Sequence, residues 1–211
     1  MLAGMSVEYY VKLERGNLRG VSEGVLGALA RALRLSQEEH RHLMDLARSA
    51  NSGTAASSFA PTRHVRPALQ QMLDAMSAPA WVRNGRSDFV AANALGRALY
   101  SPLFTSSVQP PNTARFVFLD PRGRDYYPQW EVIGQQMVAS LRAEAGRHPF
   151  DRPLTDLIGE LSTRSDEFRR WWGAHEVFTH GAGSKRIHHP DVGDLELNYE
   201  PMELTADAGL T

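Results

Sequence analysis

Cysteine is absent from all 211 residues. That excludes disulfides, zinc-thiolate sites and thiol catalysis, and it suits a cytoplasmic protein without demanding one. No apolar run approaches the ~18 residues of a membrane span. The N-terminus lacks the basic segment, apolar stretch and cleavage site of a secretory signal. Net charge is nearly absent, −1 at pH 7, which argues against a general nucleic-acid binder. Residues 1–48 carry seven Lys/Arg and six Asp/Glu, less basic than is usual for a domain that tracks phosphates. Several catalytic signatures are missing as well. There is no H-E-x-x-H pair, no G-x-S-x-G elbow and no P-loop. Gly181-Ala182-Gly183-Ser184 lacks the spacing of a dinucleotide fingerprint. His175, His180, His188 and His189 lie near Glu176, Asp191 and Asp194, a donor set that suits divalent metals. Adjacent His188 and His189 on a strand, however, point to opposite faces. The expectation is a non-enzyme with no catalytic residues, no metal and no cofactor. Hydrophobic residues make up 42% and charged residues 22%, enough to pack one ordinary domain plus a small one.

The chain is organised around its first twenty residues. Ala3-Gly4 is a small-residue turn, and Ser6 is a good N-cap for the helix that follows. Val7, Tyr10 and Leu13 recur at a spacing of three, giving one apolar face. Gly16, after Glu14-Arg15, supplies a left-handed helix end. A tight Gly-containing turn into a helix of this length has the form of the second half of a helix-turn-helix.

Further along, Ser22 can cap a helix over 22–35, with Leu26, Leu29 and Leu33 recurring. Ser36-Gln37-Glu38-Glu39 is a capping box, followed by an apolar stripe of Leu43, Leu46 and Ala47. Residues 51–65 contain the small, polar, Gly/Pro-punctuated stretch of a linker. Residues 67–76 look helical, with Leu69, Met72, Leu73 and Met76 on one face. Ala80-Trp81-Val82-Arg83 reads as a strand, Asn84-Gly85 as a two-residue hairpin turn, and Phe89-Val90-Ala91 as the return strand. Asn93 can cap the next helix, through Leu95 and Leu99. Residues 114–121 are ambiguous between strand and buried helix. Residues 130–145 are helical on a stripe of Trp130, Ile133, Met137 and Leu141. Leu154, Leu157, Ile158 and Leu161 mark another helix. Ser165 caps a third, which clusters Phe168, Trp171, Trp172 and His175. Residues 176–179 and 185–188 look like strands. Leu195, Leu197 and Tyr199 alternate with polar residues, so that strand is half buried.

Two resemblances attach to these residues. The stretch Ala3-Gly4-Met5-Ser6, Tyr9-Tyr10 and Leu13-Glu14-x-Gly16 resembles the recognition half of an XRE-type, lambda-repressor-like helix-turn-helix. The resemblance implies a helix in the major groove, opened by Ser6, with Val7, Glu8, Tyr9 and Lys12 toward the bases and Arg15, Asn17 and Arg19 near phosphates. In that family the first helix and most of the second precede Leu2, so DNA binding is expected to depend on them.

The second resemblance covers residues 66 to 204 and is to the C-terminal ligand-binding domain of MmyB-like transcription regulators. It rests on Phe118-Leu119-Asp120-Pro121, Trp130-Glu131, Ala145-Gly146-Arg147, Ser165-Asp166-Glu167-Phe168, Trp172-x-x-His175-x-Val177 and Lys185-Arg186-x-x-His189-Pro190-x-x-Gly193-x-Leu195-x-Leu197. The family domain usually continues past Tyr199-Glu200-x-Met202-x-Leu204 into a last strand and helix.

Together the two imply an α+β chain: a partial all-α helix-turn-helix domain at 1–50, a linker at 51–65, and a PAS-like α/β sensor at 66–211. The implied function is a cytoplasmic, homodimeric regulator on a double-stranded DNA operator, controlled by a small hydrophobic ligand such as a fatty acid. Aromatic and sulfur-bearing side chains could line a roomy apolar cavity, with Arg115 and His175 as head-group partners. The expected ligand set is Trp81, Arg115, Phe118, Trp130, Met137, Phe168, Trp172 and His175. Taken one by one, the aromatics suit an ordinary core better than a pocket. The competing reading is a stand-alone small-molecule binding protein whose helix-turn-helix is vestigial.

Overall fold

The computed structural model describes residues 7–14, 21–37, 39–40, 43–44, 46–47, 65–105, 109–174, 183–204, 206–207 and 209–211. It is mixed helix and sheet, and predominantly helical. The chain divides into two compact units. One comprises 1–59 with Arg142–Arg152, and the other 60–141 with 153–211.

In the first unit, α1 spans Val7–Glu14 and α2 spans Glu23–Ala32. Ser22 caps α2 as expected, its hydroxyl accepting from Val25 N at 3.4 Å. The capping box also forms: Ser36 N donates to Glu39 Oε2 at 2.7 Å and Glu39 N to Ser36 Oγ at 3.2 Å. Those two bonds hold the Glu39 carboxyl below its ordinary range. The described residues between 37 and 47 are helical. Leu13, Val21, Leu26, Leu29 and Ala47 form a small core, with Tyr10, Val25, Leu43 and Met44 packed against it. Leu33 and Leu46 stay exposed.

In the second unit, α3 (Pro67–Asp74) begins on proline, whose missing N–H costs nothing in the first turn. Only Leu69 and Leu73 of the expected stripe are buried. Met72 and Met76 are exposed, because the helix is short and meets its sheet along one narrow line. β1 (Trp81–Arg83) pairs antiparallel with β2 (Phe89–Ala92).

The connection between these strands is not the two-residue Asn84-Gly85 turn. The left-handed residue is Ser87, at φ 66°, and the register shifts between Val82 and Arg83. The Asn84 side chain organises the longer loop instead. Its Oδ1 accepts from Arg86 N and Asp88 N, each at 3.0 Å. On the other side of β1, Arg83 and Thr211 exchange backbone hydrogen bonds of 2.7 and 3.0 Å.

Asn93 caps α4 (Ala94–Leu99) by accepting from Gly96 N at 2.7 Å. Its amide also donates to the carbonyls of Leu73 and Ala78, tying α3 to the sheet. A short α5 (Ser101–Phe104) follows. The ambiguous stretch is helix: α6 spans Thr113–Leu119. Then come α7 (Arg122–Tyr126), the long α8 (Trp130–Arg147), α9 (Arg152–Arg164) and α10 (Asp166–Ala174). β3 (Gly183–His189) and β4 (Gly193–Tyr199) form a second hairpin with seven residue pairs in register. Leu195, Leu197 and Tyr199 are half buried as the alternation predicts, and His188 is exposed where His189 is buried.

The main core joins Phe89, Leu99, Tyr100, Leu103, Phe116, Val117, Tyr126, Tyr127, Trp130 and Ile187. No helix among the described residues is long and apolar enough to cross a membrane.

Candidate ligand cleft

Two features of the second unit bear on ligand binding: a dense aromatic interior and an open cleft. Trp130 is buried and its Nε1 donates to Val117 O at 2.7 Å. The Arg124 guanidinium lies 3.8 Å from the centre of the Trp130 ring and is ion-paired with Glu167. Phe118 packs edge-on against Trp130, Phe168 and Trp171, and Phe168, fully buried, stacks on Trp172 at 5.6 Å. Packing here is close: a Cβ on Gly134 would sit 2.5 Å from Trp171. Met137 is buried, its sulfur accepting from the Ser87 hydroxyl at 3.3 Å.

Trp81 belongs to another aromatic group, with Phe89 and Tyr100. There Lys185 Nζ donates to Tyr100 Oη at 2.9 Å and lies 4.9 to 5.6 Å from the ring centres of Trp81, Tyr100 and Tyr199. Burial pushes the Tyr126 and Tyr127 hydroxyls well above the usual phenol range. Burial also lowers the Arg83 guanidinium. These side chains are packed interior whose polar tips have found partners.

The cleft lies elsewhere. It has a volume of about 330 Å³ and is lined by apolar Leu103, Pro111, Phe116, Leu119 and Pro121 and by polar Asn112, Arg115, Asp120, Arg122, Glu160 and Arg164. The volume is at the lower end for small-molecule sites, ~300–1,000 Å³. One wall is α6. Asn112 caps it, Oδ1 accepting from Arg115 N at 2.9 Å, while the amide donates to Arg86 O and to Asp88 Oδ1. That cap fixes where Arg115 leaves the helix. Arg115 Nε donates to Glu160 Oε2 of α9 at 2.8 Å. One turn on, Arg164 Nη1 donates to Glu160 Oε1, also at 2.8 Å. At the α6–α7 corner, Asp120 takes hydrogen bonds from both Arg122 Nε and Nη2. Those bonds hold the Asp120 carboxyl below its ordinary range and raise Arg122.

Of the eight residues expected around a ligand, the cleft takes in only Arg115. Trp81, Phe118, Trp130, Met137, Phe168 and Trp172 lie in the aromatic interior, and His175 falls outside the described residues. Of the DNA-reading set, Val7, Glu8, Tyr9 and Lys12 lie on α1, while Ser6, Arg15 and Arg19 are outside the described residues. Sequence reading missed Glu160, Arg164, Asp120 and Arg122. The i, i+4 spacing of Glu160 and Arg164 was visible as a helical pair. Nothing in the sequence joins Arg115 to a carboxylate 45 positions away.

An α+β unit with an apolar-floored, arginine-rimmed cleft is built as a small-molecule binding domain is built. The chain belongs to the family described as the MmyB-like transcription regulator ligand binding domain, whose model matches residues 65–211. Comparison with curated proteins finds no match for the chain.

Proposed function

We propose that this chain is a DNA-binding transcriptional regulator whose domain at 66–211 binds a small hydrophobic, fatty-acyl-like effector. Membership of a family of regulator ligand-binding domains supports the first half. The single observation supporting the second is the cleft of about 330 Å³ that sets Arg115 beside Leu103, Phe116 and Leu119. A cation next to an apolar floor suits an amphiphile with an acidic end. In this reading the helix opened by Ser6 presents Val7, Glu8, Tyr9 and Lys12 to base edges, with Arg15 and Arg19 near phosphates. The regulator acts in the cytoplasm as a homodimer on a palindromic operator. The effector changes operator affinity by as much as it discriminates between two states of the protein. No catalytic step belongs to the reading.

The test is fluorescence anisotropy of labelled duplexes from the DNA flanking the gene, against a scrambled duplex, with and without decanoate and across a salt series, on this chain and on a version extended upstream in frame. The expected result is sequence-selective binding that weakens as salt rises and shifts with decanoate. Equal binding to both duplexes overturns the operator assignment. Selective binding that decanoate leaves unmoved overturns the effector coupling.

A further inference from the structure

The segment that follows β4, from Leu204 to Thr211, is held by three kinds of contact, and they land on different elements. Its apolar anchor is Leu210, buried with Leu69 and Leu73 of α3, Val82 of β1 and Ala91 of β2. Its backbone anchor is the outer edge of β1. Arg83 N donates to Thr211 O at 2.7 Å and Thr211 N donates to Arg83 O at 3.0 Å, and Leu210 bridges antiparallel to Asn84. Its charged anchor is Asp207. Arg66 Nε donates to both carboxylate oxygens at 3.1 Å, and Nη2 donates to Oδ2 at 2.7 Å. Between these anchors the segment closes on itself. Asp207 N donates to Leu204 O, Leu210 N to Asp207 O and Leu204 N to Leu210 O. Gly209 makes the closing turn at φ 85°, a left-handed value that glycine adopts without strain.

Two of the landing points stand where a change of position has consequences. Arg66 is the N-cap of α3, yet its side chain makes no capping hydrogen bond; it goes to Asp207 instead. It also directly follows the stretch 51–65 that the sequence marks as a linker. Arg83 stands where the β1–β2 register slips. Such a slip disrupts the ladder locally, so the outer bonds to Thr211 help to fix this residue. We infer that residues 204–211 form a releasable strap that locks the start of α3, and with it the end of the linker, to the edge of β1, so that opening at Arg66 and at Arg83 is one event. The inference is independent of the effector reading. Release is within reach because the anchors are few: one buried leucine, one pair of edge bonds and one ion pair whose arginine side chain is 58% exposed. The β3–β4 hairpin, by contrast, has seven residue pairs in register and Ile187 in the main core. Segments with few buried contacts open at lower free energy than the core they lie on. A displacement of β1 at Arg83 thus frees the linker end while the rest of the unit stays folded.

The test is amide hydrogen exchange, read by mass spectrometry on the full chain. The variants are Asp207→Asn, Gly209→Ala and the charge-reversed pair Arg66→Asp with Asp207→Arg. Two sets of amides report on the strap: Leu69 and Gln70, which donate to Arg66 O at the start of α3, and Arg83 and Thr211, which donate to each other across the edge of β1. The β3–β4 hairpin is the internal reference. Asp207→Asn is expected to speed exchange at both sets by roughly threefold or more and to leave the hairpin unchanged. Gly209→Ala touches neither landing point, and its methyl group would meet open space. It acts through the strained φ alone and is expected to speed the same two sets together. The charge-reversed pair is expected to restore slow exchange at both. Faster exchange at Leu69 and Gln70 with Arg83 and Thr211 unmoved overturns the strap and leaves Arg66–Asp207 an ordinary surface ion pair. Faster exchange that spreads equally through the hairpin overturns separate release, because strap and unit then open together. Slow exchange at both sets in Asp207→Asn and Gly209→Ala overturns the inference outright, as does a charge-reversed pair that exchanges as fast as Asp207→Asn.

Discussion

Single residues in this chain carry roles that their type alone does not announce. Trp130 is buried, hydrogen-bonded through Nε1 and covered by Arg124. Trp130→Ala is therefore expected to destabilise the second unit by about 3–5 kcal/mol, measured by denaturant unfolding. Retained stability with lost decanoate binding would instead place the ring in a ligand wall. Asp120 shows how a partner sets pH dependence. The hydrogen bonds from Arg122 depress its pKa. Its stabilising contribution is thus present at neutral pH, above the unfolded value, and is lost as pH falls through the lowered folded value. Asp120→Asn should be less stable than the parent at pH 7, with the gap closing as both are titrated into acid. A gap that stays constant down the titration would show the charge has no part in it. For Lys12 the expectation follows from the proposed major-groove docking. Lys12→Ala should weaken operator binding by ~1–3 kcal/mol if the ammonium pairs with guanine, and unchanged anisotropy would remove it from the base-reading set.

The elements were legible where they begin with a side chain that declares them. Ser22, Asn93 and Ser165 each cap the helix the sequence assigned to them. Ser165 is buried and accepts from Phe168 N at 3.2 Å, so Ser165→Ala is expected to cost about 1 kcal/mol, read as a lower unfolding midpoint at an unchanged slope. Period also worked where the buried stripe was long, as in Trp130, Met137 and Leu141. It failed around α3, where Met72 and Met76 share the spacing of core residues and yet are exposed, because the two-turn helix has only one line of contact and ends at Asp74, before Met76. The Asn84-Gly85 pair misled for a different reason. An Asn side chain that bonds two backbone N–H groups can shape a loop alone, and the left-handed residue then fell on Ser87. The stretch at 113–119 was undecidable from its own residues, and the Asn112 cap that settles it as helix draws its other partners from the loop at Arg86 and Asp88.

At the scale of the whole molecule, the ligand-binding-domain family and the α+β class could be read from the sequence, and the cleft could not. The conspicuous aromatic residues pack ring against ring in the interior. The cleft is assembled instead from ordinary residues of α5, α6 and α9 and the α6–α7 corner. Its defining bond, Arg115 to Glu160, is a product of tertiary packing and has no local signature. Arg115 was identified only because an acidic ligand would want a cation beside apolar side chains. No local feature of the sequence singles out Glu160 or Arg164 among the chain's many charged side chains.

The crowding of indoles in the second unit has an optical consequence. Trp130 and Trp171 have ring centres 5.4 Å apart and planes tilted by 44°, close enough and skewed enough for their electronic transitions to mix. The chain should therefore show a paired positive and negative tryptophan band in its circular dichroism to which this pair contributes, whereas Trp81 packs against Phe89 and Tyr100. Trp171→Phe should weaken the pair of bands, and Trp81→Phe should leave it intact. If so, the loosening of this interior during unfolding can be followed without any attached dye.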